Sequence, residues 1–544
     1  MKRRGAGLIL AIMAGGYATL CHAQPTPFII DQHRTDRKPP TAPKKTVPAP
    51  RLQGELEVHK FAPFVLRAVR IEGTTVSPHI IAAAIAPFIG HTMNVAALKH
   101  LADAVSDAYA KNSNIALYTV APPQQTFANG VVRLIVAEGY VEHVDIRGDV
   151  GGDLDLIKSY AAMLTRERPL TKATLQRYLS LIRDIAGLTP EIRVLQGSTR
   201  GAVQIVLTLT QKVAQIGLSV NNQGSALLGR TQLEGDVSFY DIFREGEQFT
   251  VTVAAPTNIR GFQYVNLGVS EPLGSEGTLA GMNIGYLHTR PKGSIRGGNA
   301  QSLQLVARHP LIRSVEENLS LTADLDGLNS INAVFGQTIA NERVRALRVG
   351  ANYSLASPAH VFSMSGTLSL GLDVLGAHVS NPLLAVPDFQ KVTVQAGYDQ
   401  RLSPQWTARL RAAGQYAGER LPVSELYPLG GGAFGRAYPS ATLVGDQGLA
   451  GSFELAWRPP FKLEDVLSNT ELYGFVDGGG TWLLRRGAVP GRSFDLASTG
   501  LGVRFAAIEH TDLQLEGSRQ LVAPPTVGAN ASWEFDFFVK IIQP

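Results

Sequence analysis

The chain has 544 residues, of which 44 % are hydrophobic and only 17 % charged, with 55 glycines. That is too long for one ordinary domain and poor in charge against the about 25 % usual for soluble domains. A mean hydropathy of +0.04 excludes a bundle of membrane helices.

Residues 1–23 read as a secretory signal peptide. MKRRG is a basic n-region, Leu8–Leu20 an apolar h-region, and CHA before Gln24 a small-x-small cleavage site. A membrane anchor is the alternative, but a spanning helix needs about 20 apolar residues. Loss of Lys2, Arg3 and Arg4 removes three positive charges and lowers the formal net charge from +5 to +2, so charge makes no case for nucleic acid. The single cysteine, Cys21, lies in the same segment. The mature chain is therefore expected to have no disulfide and no thiolate chemistry. Leu20 beside Cys21 makes a poor lipoprotein site. Beyond the signal no apolar run is long enough for a helix to span a bilayer, so a membrane crossing here must use strands.

Residues 24–60 are rich in proline and basic side chains and read as an extended linker. A short segment near Phe28–His33 could dock as a plug or stay disordered. Residues 61–139 read as one α+β unit. FVLRAVRIEG is a strand. Ser77-Pro78 opens a short helix with proline in its first turn. A second helix spans about Val95 to Ala110, with Val95, Leu98, Leu101, Ala102, Val105 and Tyr109 at helical spacing. Two strands, IALYTV and VVRLIVAEG, complete the order β-α-α-β-β. Residues 140–212 repeat it: YVEHVDIRG, two helices, then EIRVLQ and AVQIVLTLTQ. Thr171 is placed to cap the second of these helices and Gly187 to end it.

From residue 213 to 544 helical periods vanish and alternating strands follow one another. In FSMSGTLSLGLDV, Phe362, Met364, Leu368, Leu370, Leu372 and Val374 point one way, and Ser363, Ser365, Thr367, Ser369 and Asp373 the other. The final strand sets Trp533, Phe535, Phe537, Val539 and Ile541 against Glu534, Asp536 and Lys540. A soluble sandwich also alternates. Full charges on the polar face and strands of about 10 residues instead suit a membrane barrel with a wet lumen, of about 16 strands in this length.

No GxSxG, HExxH or GxxxxGK[ST] occurs, and no histidine pair has metal-ligand spacing with a carboxylate between. The chain is read as having no catalytic site, no metal and no cofactor. The glycine triplets at 430–432 and 478–480 lead into no helix, which removes the phosphate-loop reading.

Near the C-terminal end, LGGGAFGRAYPSATLVGDQG places one arginine in a soft loop. By spacing alone, Arg436 is a solvated loop residue. The stretch Gly435-Arg436-Ala437-Tyr438, followed by Gly445-Asp446-Gln447-Gly448, resembles the glycine-rich loop after strand 11 of the two-partner secretion transporters. These form the ShlB/FhaC/HecB-like TpsB branch of the Omp85 superfamily. Phe475-Val476-Asp477-Gly478-Gly479 resembles that family's F-x-D-x-G, and VRIEGTTV (Val69–Val76) and RLIVAEGYVEHVDIRG resemble its POTRA units. The resemblance runs from about residue 60 to the end. It departs where Gly435 stands for an aliphatic residue and Ala437 for glycine, and in a C-terminus that ends Ile542-Gln543-Pro544 in place of phenylalanine.

The resemblance implies two periplasmic POTRA units followed by a 16-stranded antiparallel transmembrane β-barrel in the outer membrane of a Gram-negative bacterium. It implies secretion of a partner exoprotein, a haemolysin or adhesin among the candidates, recognised by the POTRA units. The partners are then that client and outer-membrane lipid, with the transporter acting as a monomer. It also implies that the loop turns back into the lumen, where Arg436 meets Asp477. Parity agrees: Tyr473, Phe475, Asp477 and Gly479 share a face opposite Leu472 and Val476. An arginine can hold a carboxylate through two parallel bonds, and the pair would act as a strut. An Omp85-type insertase is the nearest alternative. A diffusion porin would need only the barrel, and an outer-membrane enzyme would need a nucleophile and a base.

Overall fold

The computed structural model describes residues 61–543, apart from 124, 126, 149, 152–153, 200, 294–296, 335–336, 461–469, 509, 523 and 525–532. The expected signal (1–23) and the linker with its plug segment (24–60) lie outside the described residues. The chain divides into two units, with the main break between Gln211 and Lys212.

The first unit contains two copies of one small fold. In the first copy, β1 (Phe64–Val65), β2 (Ala68–Glu72), α1 (Pro78–Ile85), β3 (Thr92–Met93), α2 (Val95–Asn112), β4 (Tyr118–Ala121) and β5 (Val131–Glu138) follow in order. The sheet runs β2-β5-β4, with β2 parallel to β5. In the second copy, β6 (Tyr140–Arg147), α3 (Asp155–Arg166), α4 (Lys172–Asp184), β7 (Leu188–Gln196) and β8 (Ala202–Gln211) build the sheet β6-β8-β7, again with the first strand, β6, parallel to the central one, β8. Of the helical stripe expected on α2, Leu98, Leu101, Ala102, Val105 and Tyr109 are buried, while Val95 in the first turn is exposed.

Three details differ from the sequence reading. FVLRAVRIEG is two strands, because Leu66 turns fully into the core and its amide bonds His91 O at 3.0 Å. Thr171 does cap α4 through the Thr174 amide, but the helix stops at Asp184, and Gly187 (φ 73°) serves the turn beyond. In FSMSGTLSLGLDV the strand ends at Gly371, before Leu372 and Val374.

The two copies are joined by more than the chain. Lys172 Nζ bonds the carbonyls of Ala110 and Ser113 at 2.6 and 2.8 Å, which places a cation on the C-terminal carbonyls of α2. Ala116 N donates to Leu170 O at 2.8 Å.

The second unit is a closed antiparallel barrel of sixteen strands. Its first eight are β9 (Ala214–Asn221), β10 (Gln232–Tyr240), β11 (Gln248–Pro256), β12 (Phe262–Leu273), β13 (Thr278–Thr289), β14 (Gly298–Arg313), β15 (Glu317–Val334) and β16 (Gln337–Ala356). After β17 (His360–Gly371), β18 (Gln390–Arg401) and β19 (Trp406–Ala417), a short ribbon intervenes, β20 (Tyr427–Leu429) and β21 (Leu443–Gly445). The wall resumes with β22 (Gln447–Trp457), β23 (Glu471–Leu483), β24 (Arg492–Ile508), β25 (Thr511–Val522) and β26 (Trp533–Gln543). β26 closes on β9 from Phe538–Asn221 to Gln543–Ile216. Beyond that ladder, the Asn222 side chain accepts from Phe537 N at 2.8 Å and donates to Phe535 O at 2.6 Å, extending the seam without backbone pairing.

Alternation fixes the faces. Val253, Leu267, Ile284, Leu303, Leu325, Val349, Leu368, Val394, Leu410, Phe453, Val476, Leu501 and Leu515 point out and are exposed. That is the expected outer band of a membrane barrel, whose core contacts lipid rather than water. Among the described residues no helix is long and apolar enough to cross a membrane.

Candidate functional site

The segment between β19 and β22, residues 418–446, is the connection after the eleventh wall strand. Its apolar residues decide where it lies. Leu429, Tyr438 and Leu443 are fully buried and pack with Tyr427 and Ala437 against Ala450 and Leu496, which face inward from β22 and β24. Burial of that surface holds the loop inside the lumen. The ribbon β20–β21, paired from Tyr427–Gly445 to Leu429–Leu443, makes the returning stem, and the glycine-rich tip joins its two strands.

At the tip, Arg436 is 12 % exposed and meets three carboxylates on three wall strands. Its Nη1 lies 3.2 Å from Glu454 Oε2 on β22 and 3.1 Å from Glu516 Oε2 on β25. Its Nε lies 3.4 Å from Asp477 Oδ2 on β23, an ion pair outside hydrogen-bond geometry, and among the described residues Nε has no hydrogen-bond acceptor. The Arg436 amide also points at that oxygen, at 3.4 Å. Asp477 is fully buried and accepts the Ser498 hydroxyl. The guanidinium carbon lies 4.1 Å from the centre of the Phe475 ring, a cation–π contact.

The structure thus brings Arg436, Phe475 and Asp477 together. It replaces the expected two-bond pair with a shared cation, because Glu454 and Glu516 compete for Nη1. Gly435 has a left-handed φ of 77°, and a Cβ there would stand 2.4 Å from Leu496 Cδ1. An aliphatic residue would fit neither the backbone nor the space. Ala437 is buried and its carbonyl accepts from Gln520 at 3.2 Å. The Tyr438 hydroxyl donates to Val522 O, and burial pushes its pKa up to about 12. Gly479 lies against β22, where a Cβ would meet Leu449 O at 2.4 Å. The Phe475 ring lies over Gly500, where a Cβ would stand 2.7 Å from the ring edge.

Glu454 belongs to a wider network. It takes a two-bond contact from Arg504 at 2.6 and 2.8 Å and a further bond from Arg409 at 2.9 Å. Arg409 also grips Glu471 at 2.7 and 2.8 Å. Arg504 stacks over the Tyr473 ring at 3.8 Å, and the Tyr473 hydroxyl donates to Glu516 at 2.7 Å.

Two further clamps were not foreseen. In the turn Val423–Glu425, Glu425 accepts from Arg348 Nη2 at 2.8 Å and Arg348 Nη1 at 3.1 Å, and lies 2.7 Å from Lys391 Nζ. Arg348 comes from β16 and Lys391 from β18, and Glu342 of β16 accepts the Val423 amide at 3.0 Å. Burial raises the Glu425 pKa, but the two cations outweigh it and hold the group well below the usual carboxylate range. At the same end of the stem, just after β21, Asp446 is fully buried. It takes two 2.7 Å bonds from Arg486, and the amides of Leu421 and Leu484 at 2.8 and 2.7 Å. This is the aspartate of Gly445-Asp446-Gln447-Gly448.

The missed partners did leave a signal. Glu454, Glu516 and Arg504 are each a lone charge between outward apolar neighbours within a strand, the pattern of a residue that faces a polar lumen.

Two copies of a small α+β repeat, a sixteen-strand barrel and a loop folded into its lumen are the architecture of an Omp85-type outer-membrane transporter. The family described as Haemolysin secretion/activation protein ShlB/FhaC/HecB matches residues 201–505, and the POTRA domain, ShlB-type, matches residues 64–139. The chain belongs to the ShlB/FhaC/HecB family. Its relatives include the Heme/hemopexin transporter protein HuxB of Haemophilus influenzae, 21 % identical over 72 % of this chain and 71 % of the relative. They also include the Outer membrane transporter CdiB of Escherichia coli, 23 % identical over 83 % of this chain and 78 % of the relative. The solved structure of CdiB from Escherichia coli matches with a TM-score of 0.66 at 19 % identity, covering 92 % of this chain and 94 % of that one. The protein is an outer-membrane transporter of two-partner secretion, with its POTRA region in the periplasm, and it exports a partner exoprotein through the barrel.

Proposed function

We propose that residues Gly435–Tyr438, with Phe475, Asp477 and Gly479, act as the strut that keeps the lumen loop in its working position during export. The observation that carries this is Arg436 in contact with three acids on three strands. A cation shared in this way couples the loop tip to an arc of wall from β22 to β25. A side chain that only balanced charge would need one partner.

In this reading the chain comprises a signal (1–23), a linker with a plug segment (24–60), two POTRA units (61–139 and 140–212) and the barrel (213–544). The POTRA units receive the unfolded client by strand addition at a sheet edge. No catalytic step is assigned to the transporter, and it works as a monomer. Client folding outside the cell draws the equilibrium outward by mass action. The insertase alternative is not favoured, since the family match is to secretion transporters.

The test is Asp477→Ala, assayed for client in the medium and for a heat-modifiable barrel in the membrane. The variant is expected to keep the barrel and lose most secretion. Loss of the barrel itself would assign Asp477 to folding and overturn the strut.

A further inference from the structure

The outer wall of β16 breaks its apolar pattern at one place. Odd-numbered residues face out here: Leu355, Tyr353, Val349 and Leu347 are apolar or aromatic, and Arg345 and Arg343 follow. Even-numbered neighbours face in, as Glu342 and Arg348 show by bonding the loop turn. Two arginines, one exposed and one half-buried, therefore share the lipid-side face of one strand.

Their height is informative. From Leu355 to Arg345 is ten residues. At about 3.3 Å per residue and a tilt of about 40° this rises roughly 25 Å, the height of the apolar band of such barrels. Tyr353 and Phe362, with ring centres 6.2 Å apart, mark the periplasmic edge of that band. Arg345 then sits at the upper edge, where outer-leaflet headgroups begin, and Arg343 just above it.

Among the described residues neither guanidinium is neutralised. Arg345 Nη1 donates to Val344 O at 2.8 Å and Leu328 O at 3.4 Å, and Nη2 to Asn329 Oδ1 at 2.9 Å. All three acceptors are uncharged, and they fix the Arg345 fork in one orientation. Among the described residues no carboxylate forms an ion pair with Arg343 or Arg345. The exposed Asp373 pairs with neither.

A second observation concerns the segment beside them. Leu372 N donates to Arg345 O at 2.8 Å, and Arg343 and His378 exchange backbone bonds at 2.8 and 2.9 Å, so residues 372–378 run along the arginine edge of β16. The turn in this segment exposes Val374 and Leu375 at 51 % and 84 %. Leu375 holds a left-handed φ of 51° to do so, a conformation costly for a leucine. Water offers no reason for two large apolar side chains at this tip. An acyl chain or a lipid headgroup boundary does.

We propose that Arg343 and Arg345, with Asn329, form a binding site on the outer wall for a phosphate-bearing glycolipid of the outer leaflet, its apolar part lying against Leu375, Val374, Leu347 and Leu325. Two adjacent guanidinium forks suit a phosphate through charge-assisted bonds. The apolar rim distinguishes a lipid phosphate from a free one.

The full chain in neutral detergent tests this, with fluorescent lipid A as probe. Wild type is expected to bind saturably. Arg343→Gln with Arg345→Gln is expected to weaken binding at least tenfold, and Leu375→Asn several-fold. Arg343→Gln alone guards against a folding artefact, since it disturbs no side-chain bond among the described residues, and it too is expected to weaken binding. Lipid A stripped of phosphate is expected to bind poorly, and millimolar inorganic phosphate is expected not to displace the probe. Equal binding by the arginine variants overturns the site. Displacement by inorganic phosphate, with no effect of Leu375→Asn, assigns the arginines to free anions and overturns the lipid.

Discussion

Arg436 carries the most densely shared charge of the loop, and its loss leaves Asp477, Glu454 and Glu516 facing one another in a confined lumen. Removing one member of a buried ion pair commonly costs about 3–5 kcal/mol. Exchanging the charges, with Arg436→Asp and Asp477→Arg together, is expected to restore little secretion. The new aspartate would confront Glu454 and Glu516, each within about 3.2 Å of the present guanidinium. Recovery of half of wild-type secretion would show that a simple pair suffices. Glu425 makes a separate case. Its carboxyl is held below the usual range, so the clamp contributes at any pH above the unfolded value of about 4.3 and weakens only as pH falls below it. Glu425's own contribution to protease protection of the loop in reconstituted barrels, read as the difference between wild type and Glu425→Gln, is therefore expected to persist down to about pH 5 and to decline under stronger acid. Glu425→Gln is expected to loosen the loop already at neutral pH, and a variant protected like wild type would remove Glu425 from the clamp.

The wall strands were readable because lipid outside and water inside impose a period of two. Trp533, Phe535 and Ile541 face out and Glu534 in, as the alternation indicates. Parity alone put Asp477 in the lumen. It could not say that Glu454 stands beside it, because that depends on the register of β22 on β23, in which Phe475 pairs with Glu454 and Ser452 with Asp477. The turn Val423–Glu425 and the stem β20–β21 were invisible for a like reason: their partners, Arg348, Lys391 and Arg486, are far away in sequence. Helix ends were legible where a side chain does the capping, as at Thr171, and less so at the C-terminal end of α4, where no side chain marks the stop. The stem predicts a further behaviour. Asp446→Asn should keep the tip contacts and free the base of the loop, seen as proteolytic cleavage near 418–422 while the barrel stays heat-modifiable. An uncut loop would show that the Arg486 contact is dispensable.

As a whole, the molecule joins two copies of a small α+β fold to a closed barrel whose lumen is occupied by its own loop. Export needs that lumen to admit an extended chain, so the loop must be both anchored and able to yield. On the strut proposal, clamps on two arcs of wall, at Glu425 and at Arg436, would let one release while the other holds. If residues 24–60 occupy the resting pore, deleting 25–58 should raise single-channel conductance, and an unchanged conductance would count against a plug. The most direct measurement of the central claim is client secretion by Arg436→Ala at matched barrel abundance. Secretion falling to a tenth or less, with the barrel folded and inserted, is the expected result. Secretion at the wild-type level would contradict the account.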